Sequence, residues 1–412
     1  PLIPTRVSSS PHTPLHSMSM NGQSPKPIRC KAAAVCRAAG EPLSIEEIVV
    51  DPPKAHEIRI KIVCTSLCHS DITFWRGKAS IHTFATVFPR ILGHEAYGVV
   101  ESVGEHVEGF AAGDTVVPTF MSQCDHCQGC ASENNNLCTT VPFVFGPGMR
   151  RDGTTRFRDA QGNPVHDLVA VSSFSEYTVV DETQVIKIDP AVPPKLACLL
   201  SCGGSTGVGA AWRVAKVEPG SSVVIFGLGS VGLAVVQGAK MCGASKIIGV
   251  DLNPDKEEVG KSPFRCRKSF GVTHFVNPLQ LGKSSITEEI QKLTGGGADY
   301  SFECIGVTSV MTDAFMCTKP GKGKTIILGL EKNNEPISLP SLELLTGKCV
   351  LGSYFGGLKP KTDVPILAQK CMNKEVELDG LITHEVGLKE INEAFNLLLQ
   401  GKSLRSIIWM DK

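Results

Sequence analysis

Four cysteines fall within fifteen residues of this 412-residue chain, spaced Cys124-x2-Cys127-x2-Cys130-x7-Cys138. Four thiolates so close in sequence can complete a tetrahedral shell around zinc, and a shell with no open position holds a structural rather than a catalytic metal. His126 lies inside this lobe, residues 121–140, but four thiolates suffice and it reads as a solvated loop residue. A second cluster has to be assembled from distant segments. Cys68-His69-Ser70-Asp71 follows one apolar strand, Gly93-His94-Glu95 follows another, and Cys202 stands in Leu200-Ser-Cys-Gly-Gly-Ser-Thr-Gly. Taken singly each segment says little, because a buried cysteine commonly behaves as a small hydrophobe. A Cys2His set taken together leaves a fourth position for water or an alcohol, as catalytic zinc requires. Zinc there acidifies a bound hydroxyl as a Lewis acid.

A third constellation is of another kind. Val223-Val-Ile-Phe226 runs into Gly227-Leu-Gly229-Ser230-Val231-Gly232 and then into an Ala/Val-rich helical stretch. Glycine loops are common, but this one follows a buried strand and opens a helix. Gly227 permits the tight turn, Gly229 lets backbone approach a pyrophosphate, and Gly232 lets helix and strand pack closely. The helix start, with Ser230 and Val231, offers free N–H groups and a favourable dipole to the phosphates. Asp251 ends the next strand, nineteen residues beyond Gly232. A carboxylate there can accept from both ribose hydroxyls and would repel a 2′-phosphate, which favours NAD over NADP. The plainer reading of Asp251 is a cap on the turn that follows it.

These groups need a scaffold. From Cys30 to about Leu200 short β-type runs (Glu57–Val63, Gly98–Val103, Thr115–Pro118, Tyr177–Val180) alternate with Gly, Pro and Asn punctuation. From Ser221 strands and helices alternate: Val223–Phe226, Lys246–Val250, His274–Val276, Tyr300–Glu303 and Thr325–Leu328, with Cys349–Tyr354 as a sixth. That rhythm predicts a parallel sheet wrapped by helices. The tail from Lys361 carries two helical segments and a last apolar strand, Ser406–Met410. With 412 residues, two domains are the default. Lysine plus arginine equals aspartate plus glutamate at 41 each, with no sustained basic stretch, so nucleic acid is not an expected partner. No apolar run approaches the roughly 20 residues that span a bilayer. Sixteen cysteines without a secretory signal suit reduced thiols in an intracellular compartment, a minority of them holding metal. Pro1–Met20 is Ser- and Pro-rich and lacks acid, as organelle transit peptides do. The plainer alternative is translation from Met18 or Met20. Residues 1–27 are expected to lie outside the fold, and the location to be cytoplasmic, or plastid if the leader is a genuine transit peptide.

Gly93-His-Glu-Ala-Tyr-Gly98-Val-Val-Glu-Ser-Val-Gly104-Glu-His-Val107 resembles the signature of the zinc-containing medium-chain alcohol dehydrogenases. The four-cysteine lobe, Cys202-Gly-Gly-Ser-Thr-Gly, the Gly227–Asp251 segment, Phe355-Gly-Gly, Leu381-Ile-Thr-His384 and Ser403-Leu-Arg405 follow in the family order. Thr65-Ser-Leu-Cys-His-Ser-Asp and the closing Ile407-Ile-Trp-Met are most similar to its plant alcohol-dehydrogenase-like branch. The resemblance covers Cys30 to Met410. It implies an α/β fold in which a Rossmann NAD-binding domain, residues 204–354 with a six-stranded parallel sheet, is inserted into a β-rich GroES-like catalytic domain, residues 28–203 with return of 355–412. It implies two zinc ions per subunit: one on Cys68, His94 and Cys202 with Glu95 close behind, the other on the four-cysteine lobe. Ser70 would hydrogen-bond the substrate oxygen, and Asp71 would orient His94. His69 and Arg405 would lie near the pyrophosphate and Lys256 near the adenosine ribose. The expected assembly is a homodimer, and the expected partner a small alcohol or aldehyde.

The chain departs from the family pattern in three places. Thr73 stands where many relatives have the histidine that ends a proton relay. Gly329-Leu-Glu331-Lys replaces a Val-Pro exit, and Lys261–Phe270, with Pro263, is several residues too long for a helix. The activity implied is hydride transfer between an alcohol and NAD, with reverse reduction of aldehydes or ketones. An alternative on the same scaffold is cyanohydrin (hydroxynitrile) lyase chemistry with Glu331 as an extra base, set against Glu331 as a solvated loop carboxylate. A metal-stabilised binding protein is a third reading, disfavoured by the open-shell ligand set. Phe120 and Leu168 are candidates for the pocket wall, whose shape fixes the substrate.

Overall fold

A computed structural model of the chain describes residues 25–77, 87–254, 270–331 and 333–412. Its centre is a six-stranded parallel sheet in the order His274–Val276, Lys246–Val250, Ser222–Phe226, Tyr300–Glu303, Lys324–Ile327, Cys349–Gly352. Val223, Val224 and Ile225 are fully buried, as expected where helices cover both faces of a parallel sheet. Strand order reverses between Ser222–Phe226 and Tyr300–Glu303. The crevice beyond the carboxyl ends of such strands is where doubly wound folds bind ligands. The glycine loop at 227–232 and the turn at 304–306 sit there.

Two antiparallel-rich sheets form the remainder. One runs Arg90–Ile91, Ile28–Cys36, Ser44–Val50, Phe157–Arg158, Pro164–Val165. The other runs Val185–Lys187, Thr115–Pro118, Glu95–Val103, Glu57–Ser66, Arg405–Trp409, Ile382–Gly387, with Tyr177–Asp181 also paired to Glu57–Ser66. The C-terminal strand therefore returns to a sheet built mainly from the first half of the chain: Ile407 lies opposite Ser66 and Trp409 opposite Cys64. This pairing carries Arg405 toward the segment that bears Cys68. One apolar core joins the sheets, since Tyr97, Val117 and Ile186 cluster with Val223, Ile225 and Leu233.

The strands expected from sequence are present with end shifts of a few residues; Glu57–Ser66 extends three further and Lys324–Ile327 begins one earlier. The sixth strand stops at Gly352 because Phe355, Gly356 and Gly357 turn the chain at positive φ. A Cβ on Gly356 would lie 2.6 Å from the Thr206 carbonyl oxygen. Ile382–Gly387 was not foreseen as a strand: only Gly387 is buried, so no apolar alternation marks it, and it forms against Arg405–Trp409. Lys256, residues 261–269 and residues 1–24 lie outside the described residues, so the ribose-binding, insertion and most of the leader expectations do too. Among the described residues no helix is long and apolar enough to cross a membrane.

Candidate active site

Cys68 ends an extended segment and opens the helix His69–Trp75. Its backbone N–H donates to Asp71 Oδ2 at 3.0 Å. The other carboxylate oxygen accepts from Gly93 N at 3.0 Å and lies 3.0 Å from His94 Nδ1. Asp71 is wholly buried, so one carboxylate fixes the Cys68 backbone, the Gly93 turn and the His94 ring. With Nδ1 held as donor to Asp71, the histidine presents Nε2 as its free lone pair. Donor atoms of Cys68, His94, Glu95 and Cys202 all lie within 4.8 Å of one another.

Glu95 stands apart from the other three in its bonding. Arg405 grips it in bidentate fashion, Nε to Oε2 at 3.0 Å and Nη2 to Oε1 at 3.0 Å, and Gly203 N adds a bond of 3.2 Å. A Cβ at Gly203 would fall 2.3 Å from Arg405 Nη2, so any larger residue here would displace the guanidinium from Glu95. Arg405 also points Nη2 at Cys68 Sγ, 3.4 Å away. A hydrogen bond with Cys202 draws the Cys68 thiol well below its ordinary value, with help from the Arg405 guanidinium and against the cost of burial. Cys202 is pushed up by the same bond and by burial. Two thiolates and an imidazole suit zinc, with room for one further oxygen ligand.

That room is a cavity of ≈ 1380 Å³ bordered by Cys68, Ser70, His94 and Cys202. Phe120 and Leu168 line it as expected, and so do Phe74, Phe143 and Phe145, which sequence reasoning did not single out. Thr73 Oγ1 donates to the His69 carbonyl at 3.1 Å, one helical turn back. Glu331 does not border the cavity: its oxygens accept from Asn333 N at 2.7 Å and Glu335 N at 2.8 Å, capping its own loop.

At the glycine loop, Gly227 has φ +85°, and a Cβ on Gly232 would lie 1.9 Å from the Gly227 carbonyl. Both are fixed by the protein's own backbone. Gly229 differs: a Cβ there would meet nothing within 4 Å. The loop is therefore open at Gly229, where a pyrophosphate would come to rest on the start of the helix Ser230–Met241. Arg405 Nη1 donates to Ser230 Oγ, bringing its charge to this helix start, and Val231 borders the cavity. His69 is exposed on its helix. Asp251 accepts from Leu228 N at 2.9 Å and from Asn253 N at 3.0 Å. It thus holds the glycine loop as well as capping the next turn.

The four-cysteine lobe closes on itself. Sγ–Sγ separations are 3.9 Å for Cys124–Cys130 and for Cys127–Cys138, too long for disulfides. They match the edge of about 3.8 Å for a tetrahedron of sulfurs around zinc at ~2.3 Å. Backbone N–H groups of Cys130 and Thr139 approach Cys127 Sγ at 3.3 Å. The Thr139 hydroxyl and these amides hold the Cys127 thiol at about 4, whereas burial pushes Cys130 up to about 12. Gly129 is required, since a Cβ would lie 2.0 Å from the Leu137 carbonyl.

Residues 54–190 match the alcohol dehydrogenase GroES-like domain and residues 230–373 the zinc-binding dehydrogenase family. Alcohol dehydrogenase-like 2 of Arabidopsis thaliana is 57% identical over 388 residues, 94% of this chain and 98% of that protein. Among solved structures, an alcohol dehydrogenase zinc-binding domain protein from Burkholderia ambifaria superposes with a TM-score of 0.81 at 33% identity, covering 92% of this chain and 98% of that one. A benzyl alcohol dehydrogenase from Acinetobacter calcoaceticus gives 0.79 at 29% identity, covering 93% and 100%.

Proposed function

The chain belongs to the zinc-containing medium-chain alcohol dehydrogenase family, on its plant branch, and on that premise we propose that it is a zinc- and NAD-dependent dehydrogenase of primary or secondary alcohols that also runs in reverse on aldehydes and ketones. The observation that carries this reading is the Asp71 carboxylate, which locks Cys68 and His94 in register while Cys202 closes the set beside a cavity that also holds Ser70. Zinc bound there would polarise the alcohol oxygen, and NAD on the glycine loop would accept the hydride. Ser70 is placed to accept the hydroxyl proton. Thr73, committed to the helix backbone, passes it no further, so the proton leaves through water in the cavity. Cys68, His94 and Cys202 are the ligands, Asp71 orients His94, and Glu95 with Arg405 backs the metal from the cofactor side.

The same reading gives the four-cysteine lobe a second, structural zinc. Asp251, Ser230, Val231, Gly227, Gly229, Gly232, His69 and Arg405 form the NAD site. The edge strand Cys349–Gly352 pairs on one side only among the described residues; Leu351 on it is exposed, as are Leu342 and Leu345 on the helix Ser341–Leu345 that precedes it. An uncovered edge with apolar neighbours suits a twofold homodimer. The described cysteines are free thiols, as suits the reducing cytoplasm. Cyanohydrin lyase chemistry finds less support, because Glu331 caps its own loop and does not border the cavity.

The test is to incubate the zinc-loaded enzyme with NAD and a panel of alcohols, and separately with cyanohydrins, following NADH absorbance and free cyanide. Steady NADH from an alcohol is expected, and Ser70→Ala should lower that turnover by about 10²-fold or more while sparing NAD affinity. Cyanide release with no NADH from any alcohol would overturn the reading.

A further inference from the structure

We propose that the alcohol taken by this site carries an aromatic ring, and that Arg150 is the positioning residue that sets this preference by pinning Phe120 and Phe143 in the cavity wall. The inference rests on the dehydrogenase reading above and deepens it. From the metal-facing histidine outward, the cavity is bordered by a run of rings in mutual contact. Phe120 meets His94 with centroids 6.2 Å apart and planes at 77°. Phe143 meets Phe120 at 5.5 Å and 65°, and Phe145 meets Phe143 at 4.7 Å and 74°. Phe355 closes on Phe120 at 5.6 Å and 88°. Near-perpendicular packing sets positive ring edges against negative ring faces. A substrate ring extends such a lattice; an aliphatic chain, lacking the quadrupole, gains only burial.

Arg150 does not border the cavity. It stands behind the wall and joins its two halves. Nη2 donates to the Phe120 carbonyl at 2.6 Å and Nη1 to the Pro142 carbonyl at 2.8 Å, while the guanidinium carbon lies 5.0 Å from the Phe143 ring centroid. A rigid planar fork can hold two carbonyls and a ring face at once. Burial lowers its pKa to about 10, which leaves it a cation at neutral pH, as both the carbonyls and the ring face demand.

The experiment compares kcat and KM for ethanol, hexan-1-ol, benzyl alcohol and a 3-arylprop-2-en-1-ol in the zinc-loaded wild type and in Arg150→Met, Arg150→Lys and Phe143→Ala. Zinc content and melting temperature are recorded for each. The wild type should favour the aryl alcohols over both aliphatic ones in kcat/KM by about tenfold. Arg150→Met should remove about five- to tenfold of the aryl kcat/KM, chiefly through KM, and leave ethanol within about twofold, and Phe143→Ala should remove a similar share of the aryl kcat/KM and lower the ratio of aryl to hexan-1-ol kcat/KM. Arg150→Lys, which keeps a cation over the ring and one carbonyl bond, should recover most of the loss. Hexan-1-ol used as well as benzyl alcohol by the wild type would overturn the proposal while leaving the dehydrogenase reading standing. Equal losses on every alcohol in Arg150→Met would overturn the role given to Arg150. If Arg150→Met does not fold, Phe143→Ala and Arg150→Lys decide the matter on the same readouts. No NADH from any alcohol would instead sink the dehydrogenase reading itself.

Discussion

Asp71→Asn replaces one oxygen of a buried carboxylate with an amide and should separate the two metal sites. The carboxylate serves three partners: Cys68 N through one oxygen, Gly93 N and His94 through the other. An asparagine oxygen placed toward Gly93 and His94 turns its NH2 toward the Cys68 N–H. One buried donor then faces another donor, which costs about 1–3 kcal/mol. The two remaining bonds lose their charge assistance, and with it roughly half their strength. The metal-free protein should therefore lose about 2–4 kcal/mol of stability. Zinc at Cys68, His94 and Cys202 should weaken by about 10–100-fold, as for other substitutions behind metal-bound histidines. The four-cysteine lobe shares no bond with Asp71 and should keep its metal. The assay is timed chelation with zinc counted by elemental analysis: the wild type should hold two ions, and Asp71→Asn should release one rapidly and one at the wild-type rate. Release of both ions at unchanged rates would refute the argument that Asp71 orients the histidine.

Cys124→Ser should act on the other lobe, lowering the melting temperature and removing one zinc, because metal binding there contributes to folding; two retained zincs would show the lobe misassigned. Asp251→Ser should weaken NAD more than NADP, measured by the ratio of their kcat/KM values. Because Asp251 also holds Leu228 N, some loss of loop order should raise KM for both. Asp299 accepts from Ser222 N at 2.9 Å and Ser222 Oγ at 2.8 Å and pairs with Lys319. Burial alone would raise its pKa, but these bonds outweigh burial and depress it from 3.8 to about 2. A depressed carboxylate stabilises the fold above its unfolded pKa, so about 2 kcal/mol present near neutrality should fade as pH falls from about 4 toward 2. Asp299→Asn should lose that amount at pH 7 and show a flatter acid limb in denaturant titrations; an unchanged limb would count against the pairing.

What could be read from the sequence was what lies close along the chain. The four cysteines span one short loop and the nucleotide loop one strand–turn–helix, so their spacing alone conveys geometry. The same holds for strands such as Lys246–Val250, buried on both faces and written as one apolar run. The open-shell cluster was legible only as three separate fragments, and family resemblance was needed to join them. The resemblance placed Arg405 near the pyrophosphate, yet its bidentate grip on Glu95 spans 310 residues and has no local signal. Phe143, Phe145 and Arg150 went unread because they lie on a loop, where no period distinguishes a wall residue from a solvated one. A faint trace exists: Pro142-Phe-Val-Phe145 is an unbroken apolar run with two aromatic rings in a stretch otherwise punctuated by Gly and polar residues.

The strand Arg405–Trp409 has a consequence for how the molecule comes into being. It pairs with Glu57–Ser66, and its first residue reaches Glu95, Cys68 and Ser230. Translation delivers the N-terminal ligands first and this strand among the last. The nucleotide-binding sheet, whose pairings all lie between Ser222 and Gly352, can be complete on the ribosome while the metal centre still lacks its arginine and one flanking strand. A message broken shortly before its end would yield a chain with Cys68, His94 and Cys202 all present but without the Arg405 contacts to Glu95, Cys68 and Ser230.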